Sequence, residues 1–159
     1  MDKSTAYSEY VISKTMIQLE EASLEGLTIL KEEKEIIMPL YNDLSFGFKV
    51  SEVENNRITA FFKTVIDCKT LGSDENSISI ECIYRGVFVS NEEINASDFT
   101  EFVEIQTVPQ LVPYVRSLIT SLSAQMNMDP IILPTMDIIQ SLIKNAQHEE
   151  SEDLNEGRD

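Results

Sequence analysis

The sequence predicts an α+β fold: a four-stranded antiparallel sheet with a long crossover between strands 1 and 2, followed by two C-terminal helices. Three observations carry this. Residues 42–89 alternate apolar and polar side chains between short turn signals, residues 107–146 repeat apolar side chains at helical spacing, and one further strand candidate precedes both. The 159 residues suit one domain, with 42% apolar and 25% charged side chains, as expected of a globular protein.

The first strand candidate is Tyr7 to Leu19. Tyr10, Ile12 and Met16 fall on one face, and Val11, Ile17 and Leu19 on the other. A strand apolar on both faces needs cover on both sides, which points to an oligomer. Residues 20–41 follow. Leu19, Leu27 and Leu30 have a loose helical spacing, but Gly26, Pro39 and the β-branched Thr28, Ile29, Ile36 and Ile37 favour an irregular or extended crossover.

Leu44 to Ser51 alternates cleanly as a half-buried strand, and Asn55-Asn56 suits a tight hairpin turn. The next strand, Arg57 to Lys69, puts Ile58, Ala60, Phe62, Ile66 and Cys68 on one face. After a second turn at Leu71 to Asn76, Ile78, Ile80, Cys82, Tyr84 and Phe88 line one face of the last strand, with Ser79, Glu81 and Arg85 opposite. Together these form a meander. Leu111, Val115, Leu118, Leu122 and Met126 then make a helical stripe, with Thr107 and Gln110 at capping-box spacing and Pro109 in the first turn. Pro113 either begins or kinks this helix. Asn127 to Pro134 breaks it, and a second helix runs from a Thr135 cap through Met136, Ile139, Leu142, Ile143 and Ala146. The composition divides the chain into a folded domain, residues 1–147, and an acidic tail, residues 148–159, with six acids and one Arg, expected to be disordered.

Charge limits the partners. Twenty-eight acids against twelve bases leave −16, and without the tail 22 acids still face 11 bases. Nucleic acid is excluded as the main partner, because phosphate binding needs a basic footprint, and an anionic membrane surface is disfavoured for the same reason. No run of 18 apolar residues offers a membrane span, and Met1 to Tyr10 lacks an apolar leader core. These features predict a cytoplasmic protein with Cys68 and Cys82 reduced.

The residues for catalysis are sparse. The lone histidine, His148, lies in the tail, which removes Ser/His and Cys/His chemistry and histidine metal sites. The five glycines form no phosphate-cradling motif, so no metal or cofactor is expected. The chain does not read as an enzyme, although an acid-pair hydrolase remains a rival reading. Cys68 and Cys82 share a face parity and read as buried core residues, with a cross-strand redox pair as the alternative. Glu20 and Glu81 read as surface carboxylates of strands 1 and 4. Apolar residues crowd 24–41 and 126–136 beyond what connectors need, as local packing and an oligomer interface or as an exposed groove for unlike partners.

The segment Val108-Pro109-Gln110-Leu111-Val112-Pro113-Tyr114-Val115-Arg116-Ser117-Leu118-Ile119-Thr120-Ser121-Leu122 resembles the long-helix signature of the SecB export chaperones. Met128-Asp129-Pro130-Ile131-Ile132-Leu133-Pro134 is similar to that family's proline-bounded apolar linker, and Glu81-Cys82-Ile83-Tyr84-Arg85-Gly86-Val87-Phe88 to a strand ending in Gly-hydrophobic-Phe. The resemblance covers roughly residues 10 to 145. It implies a dimer of dimers with long helices packed between sheets, and an ATP-independent holdase that binds unfolded polypeptides, including preproteins for export, in apolar grooves. The groove candidates are Leu27, Ile29, Leu30, Ile36, Ile37, Ile131, Ile132 and Leu133. Glu20 and Glu81 match two anionic positions of the family's docking patch for the SecA translocase, while Met16 and Ser79 stand where the family has an acid and a leucine. The alternative is an adaptor dedicated to one partner, such as an antitoxin.

Overall fold

Four antiparallel strands pair in the order β1-β4-β3-β2 and one long helix crosses one face of the sheet, in a computed structural model that describes residues 3–32, 36 and 39–133. In chain order the elements are α1 (Lys3–Met16), β1 (Ile17–Lys31), β2 (Leu40–Val50), β3 (Arg57–Thr70), β4 (Ile78–Ser90) and α2 (Ala96–Gln125).

The meander forms as its alternation predicts. Asn55 and Asn56 take φ of 50° and 59°, and Glu54 and Arg57 exchange two backbone hydrogen bonds of 2.9 Å across them. Such a two-residue turn has the twist of the strands it joins. Ile58, Ala60, Phe62, Ile66 and Cys68 of β3 and Ile78, Ile80, Cys82, Tyr84 and Phe88 of β4 are all buried on the inner face, beneath α2. At Gly86 an added Cβ would meet Leu19 Cδ1 and Phe88 Cε2 at 3.1 Å and Leu111 Cδ2 at 3.2 Å, so any larger residue requires these side chains to shift by a few tenths of an ångström.

The first forty residues differ from expectation. Tyr7 to Met16 belongs to helix α1, and a strand begins only at Ile17. Two apolar faces are equally the mark of a helix docked along one side. Ala6 and Ser13, seven residues apart, are fully buried, while Tyr7, Val11 and Ile12 face outward. Buried Gln106 of α2 fixes this docking: its carboxamide donates to the Tyr10 carbonyl at 3.2 Å and to the Ser13 hydroxyl at 2.8 Å.

Most of the expected crossover is strand β1, and the link to β2 is confined to residues 32–39. Bulges at Glu20 and Glu25 hid it. Each adds one residue and resets the alternation, so between Ile17 and Lys31 the residues paired with inner-face partners are Leu19, Ala22, Leu24, Leu27 and Ile29. Steps of three, two, three and two imitate a loose helix.

Helix α2 begins eleven residues before the expected cap at Thr107. Asn95 is the N-cap, accepting from the Asp98 N–H at 2.9 Å and donating to the Asp98 carboxylate at 2.8 Å. Thr107 lies inside the helix and donates to the Val103 carbonyl at 2.7 Å. Pro109 and Pro113 are also interior. Each removes one helical donor, a cost offset by burial of Val103, Gln106, Leu111, Val115, Ile119 and Leu122 against the sheet and α1. The helix ends at Met126, with Asn127 at φ 54°. The expected second helix from Thr135 and the acidic tail lie outside the described residues.

Candidate polypeptide-binding surface

Among the described residues one helix covers the sheet, and the sheet is wider than that helix. Beneath α2 the inner side chains of β3 and β4 are buried, but those of the two edge strands are only partly covered. On one flank Leu24 and Leu27 of β1 are exposed, Leu27 at 40%, with Ile29 half-buried beside them. On the other flank Leu44, Phe46 and Phe62 form a cleft with Val112, Val115 and Arg116 of α2 and with Leu133. Phe46 is 39% exposed and its ring lies 5.7 Å from that of Phe62. At the floor, the Thr64 hydroxyl is buried with no hydrogen-bond partner among the described residues. Tyr114, exposed on α2, sits 6.0 Å from the Tyr84 ring.

The segment after α2 runs beside this cleft. The Ile131 N–H donates to the Ser123 hydroxyl at 3.0 Å, and the Asn42 side chain donates to the Ile132 carbonyl at 3.2 Å. Held this way, neighbouring isoleucines take opposite fates: Ile131 is 4% exposed in the core, while Ile132 is 79% exposed.

The groove candidates therefore do not share one surface. Leu27 and Ile29 lie on the β1 flank, and Ile132 and Leu133 beside the β2 flank. Leu30 pairs with Ser79 on the outer face of the sheet, away from both. Ile36 is half-buried against the core and Ile131 is part of that core. Ile37 lies outside the described residues. Leu44, Phe46, Phe48 and Tyr114 were not singled out from sequence. Their alternation marked a buried face, and nothing local reveals that β2 lies at the edge of the sheet.

Glu20 and Glu81 both stand on the outer face, which no helix covers among the described residues. Glu20 takes a bidentate contact from Arg57, at 2.8 and 3.1 Å, and Glu81 pairs with Lys63 at 2.9 Å. Arg85 bridges Glu21 and Glu25. The Arg57 hydrogen bond holds the Glu20 carboxyl below its ordinary range, and the Ser23 hydroxyl, then Arg85, do the same for Glu25. This face is thus a lattice of ion pairs rather than an open field of acids.

The register separates the two cysteines. Cys68 is opposite Ile78 and Cys82 opposite Thr64, four positions apart or about 13 Å along the strands, too far for a disulfide. Burial pushes both thiols up to about 11, so the redox-pair alternative has no geometric support. Among the described residues no buried polar side chain is a carboxylate, no three metal-ligating side chains gather, and no helix is long and apolar enough to cross a membrane.

No family model matches the sequence. An uncharacterized protein of Methanocaldococcus jannaschii is 26% identical over 148 residues, covering 92% of this chain and 88% of that protein. The SecB-like chaperone of Mycobacterium tuberculosis, solved in complex with a ChAD peptide from the HigA1 antitoxin, superimposes with a TM-score of 0.68 at 12% identity. It covers 82% of this chain and 97% of its own. A protein of unknown function from Streptococcus agalactiae overlaps at a TM-score of 0.46 and 12% identity. The four-stranded antiparallel sheet with its long following helix is therefore a SecB-like fold.

Proposed function

We propose that this protein is a chaperone of the holdase type, binding non-native polypeptide without nucleotide, as a protein of the cytoplasm. The observation that carries the reading is the incomplete cover of the inner face. Apolar strips stay open along both flanks of α2, at Leu24 and Leu27 and at Leu44 and Phe46, and a monomer gains nothing by leaving them wet. Apolar burial at ~25 cal/mol per Å² supplies affinity without demanding one sequence, and the net charge of −16 keeps a loaded complex soluble. The fold shared with a chaperone solved with a bound peptide supports this reading. No catalytic step is part of it.

The test is suppression of aggregation for several unrelated unfolded chains, measured by light scattering at equimolar protein. Suppression of none refutes the proposal. The adaptor reading is favoured by one observation, the antitoxin peptide held by the mycobacterial neighbour. It predicts that a single partner is bound and the unrelated chains are ignored.

Two finer points belong to the same proposal. The apolar side chains left outside on α1, Tyr7, Val11 and Ile12, support self-association into a tetramer built as a dimer of dimers. Sedimentation of a stable monomer at micromolar concentration would sink it. Docking of SecA for preprotein export rests on Glu20 and Glu81 standing on the open outer face, although both are engaged by cations. Replacing both by Gln should abolish SecA binding; unchanged binding refutes that role.

A further inference from the structure

Strand β2 is the last strand in the sheet order, and among the described residues nothing pairs with its outer edge. Its pairing with β3 runs through eleven residues without a shift, from Leu40↔Thr70 to Val50↔Ala60. The Ser51 N–H bonds the Thr59 carbonyl at 2.8 Å, just beyond Val50, which sets the phase of the ladder. In an antiparallel pair alternate residues direct both backbone groups to the same neighbour. The odd-numbered residues of β2 are therefore bonded to β3, and Asn42, Leu44, Phe46, Phe48 and Val50 turn their N–H and C=O outward. These same residues have their side chains on the inner face, opposite Cys68, Ile66, Thr64, Phe62 and Ala60. Unpaired backbone and half-covered apolar side chains thus coincide along one line.

Resting on the polypeptide-binding reading above, we propose that the occupant of this edge is an extended client segment, added antiparallel to β2 as a fifth strand. Backbone pairing to Leu44, Phe46 and Phe48 is indifferent to client sequence, while apolar client residues at every second position lie beside those side chains on the inner face. The chemical class of client is therefore a segment of alternating apolar and polar residues. The buried hydroxyl of Thr64, opposite Phe46 and without a partner among the described residues, gives the cleft floor one polar atom for such a segment. The other edge is unsuited. Bulges at Glu20 and Glu25 interrupt the phase of β1, and three of its residues are glutamates, both devices that discourage strand addition.

The test uses synthetic peptides matched to the eleven residues of β2, alternating Val or Phe with Lys or Thr, in three forms. One is unmodified, one is N-methylated on the amides of its apolar residues, and one on the amides of its polar residues. An added strand pairs through its apolar residues, so the first methylation should weaken binding at least ~10-fold and the second should leave it within about twofold. Hydrogen exchange should show Leu44, Phe46 and Phe48 amides fast in the free protein and protected by the unmodified peptide.

Equal binding of all three peptides overturns strand addition and leaves the holdase reading intact, since apolar contact alone then suffices. Protection on β1 overturns it as well. So does protection of the β2 edge before peptide is added, which means that a second copy or the chain's own residues occupy it. A protein that holds no peptide yet suppresses client aggregation overturns the strand addition alone. Failure in both assays removes the holdase reading with it.

Discussion

Ile131 and Ile132 are adjacent, chemically identical and oppositely placed, so substituting each separates packing from binding. Ile132 is 79% exposed, and only about a fifth of its side chain is withdrawn from water. Full burial of such a side chain contributes ~1.5–3 kcal/mol, so Ile132→Ser should cost about 0.3–0.6 kcal/mol of folding stability. Its carbonyl contact with Asn42 is made by the main chain and survives the change. Ile131 is 4% exposed within the core formed by Leu111, Val115, Ile119 and Leu122, and Ile131→Ala should cost ~2–5 kcal/mol through lost transfer energy and a cavity. At ~2–4 °C per kcal/mol for a chain of this size, Ile132→Ser should lower Tm by roughly 1–2 °C and Ile131→Ala by at least roughly 4 °C. Melting followed by circular dichroism, beside light-scattering assays of client aggregation, reads both effects. The binding surface predicts that Ile132→Ser loses suppression while barely moving Tm. Equal losses of Tm in the two variants would refute the assigned burial. A serine at 132 that alters neither quantity would remove Ile132 from the client surface.

Gly86→Ala should destabilise the fold by ~1–3 kcal/mol, measured by urea unfolding, because its methyl group meets Leu19, Phe88 and Leu111 at 3.1–3.2 Å; a neutral result would mean β1 and α2 yield freely. Gln106→Leu leaves the Tyr10 carbonyl without the Gln106 bond and removes the donor to Ser13, and should speed hydrogen exchange in α1 while sparing β3 and β4. Cys68 and Cys82 should resist thiol reagents until the protein unfolds, since each titrates only near 11; rapid labelling of the native protein contradicts their burial. The Glu20 carboxyl is lowered by Arg57, so its contribution is full above the ordinary value near 4.5 and fades as pH falls through the lowered one. Carboxyl titration by NMR should show Glu20 rising toward the ordinary value in Arg57→Gln, and no change would contradict the pair.

The meander was legible because its alternation is undisturbed: Ile58 to Cys68 and Ile78 to Phe88 are inward in the structure as in the pattern. The N-terminal third was not, for two separate reasons. Ala6 and Ser13 mark the buried side of α1 by being small, a signal that hydrophobicity counts overlook. Glu20 and Glu25 shift the phase of β1, so strand periodicity vanishes although the strand runs from Ile17 to Lys31. The start of α2 was missed because Pro109 and Pro113 read as marks of a helix beginning, whereas both lie inside a helix capped by Asn95. The crowding of apolar residues in 24–41 and 126–136 was visible as an excess, but which of them stay wet depends on sheet order, and no local spacing encodes that.

Sheet order also governs how the molecule is made. Ile17 pairs with Ser90 and Lys31 with Ile78, and α1 docks on Gln106, so both of the first elements depend on chain synthesised later. The meander joins neighbours across short turns and needs little chain to close, whereas β1 waits for β4 and α1 waits for α2. At ~5–20 residues per second, translation leaves the N-terminal segment for several seconds with its apolar residues unsheltered. During that interval the nascent chain is itself an extended, partly apolar polypeptide in need of cover.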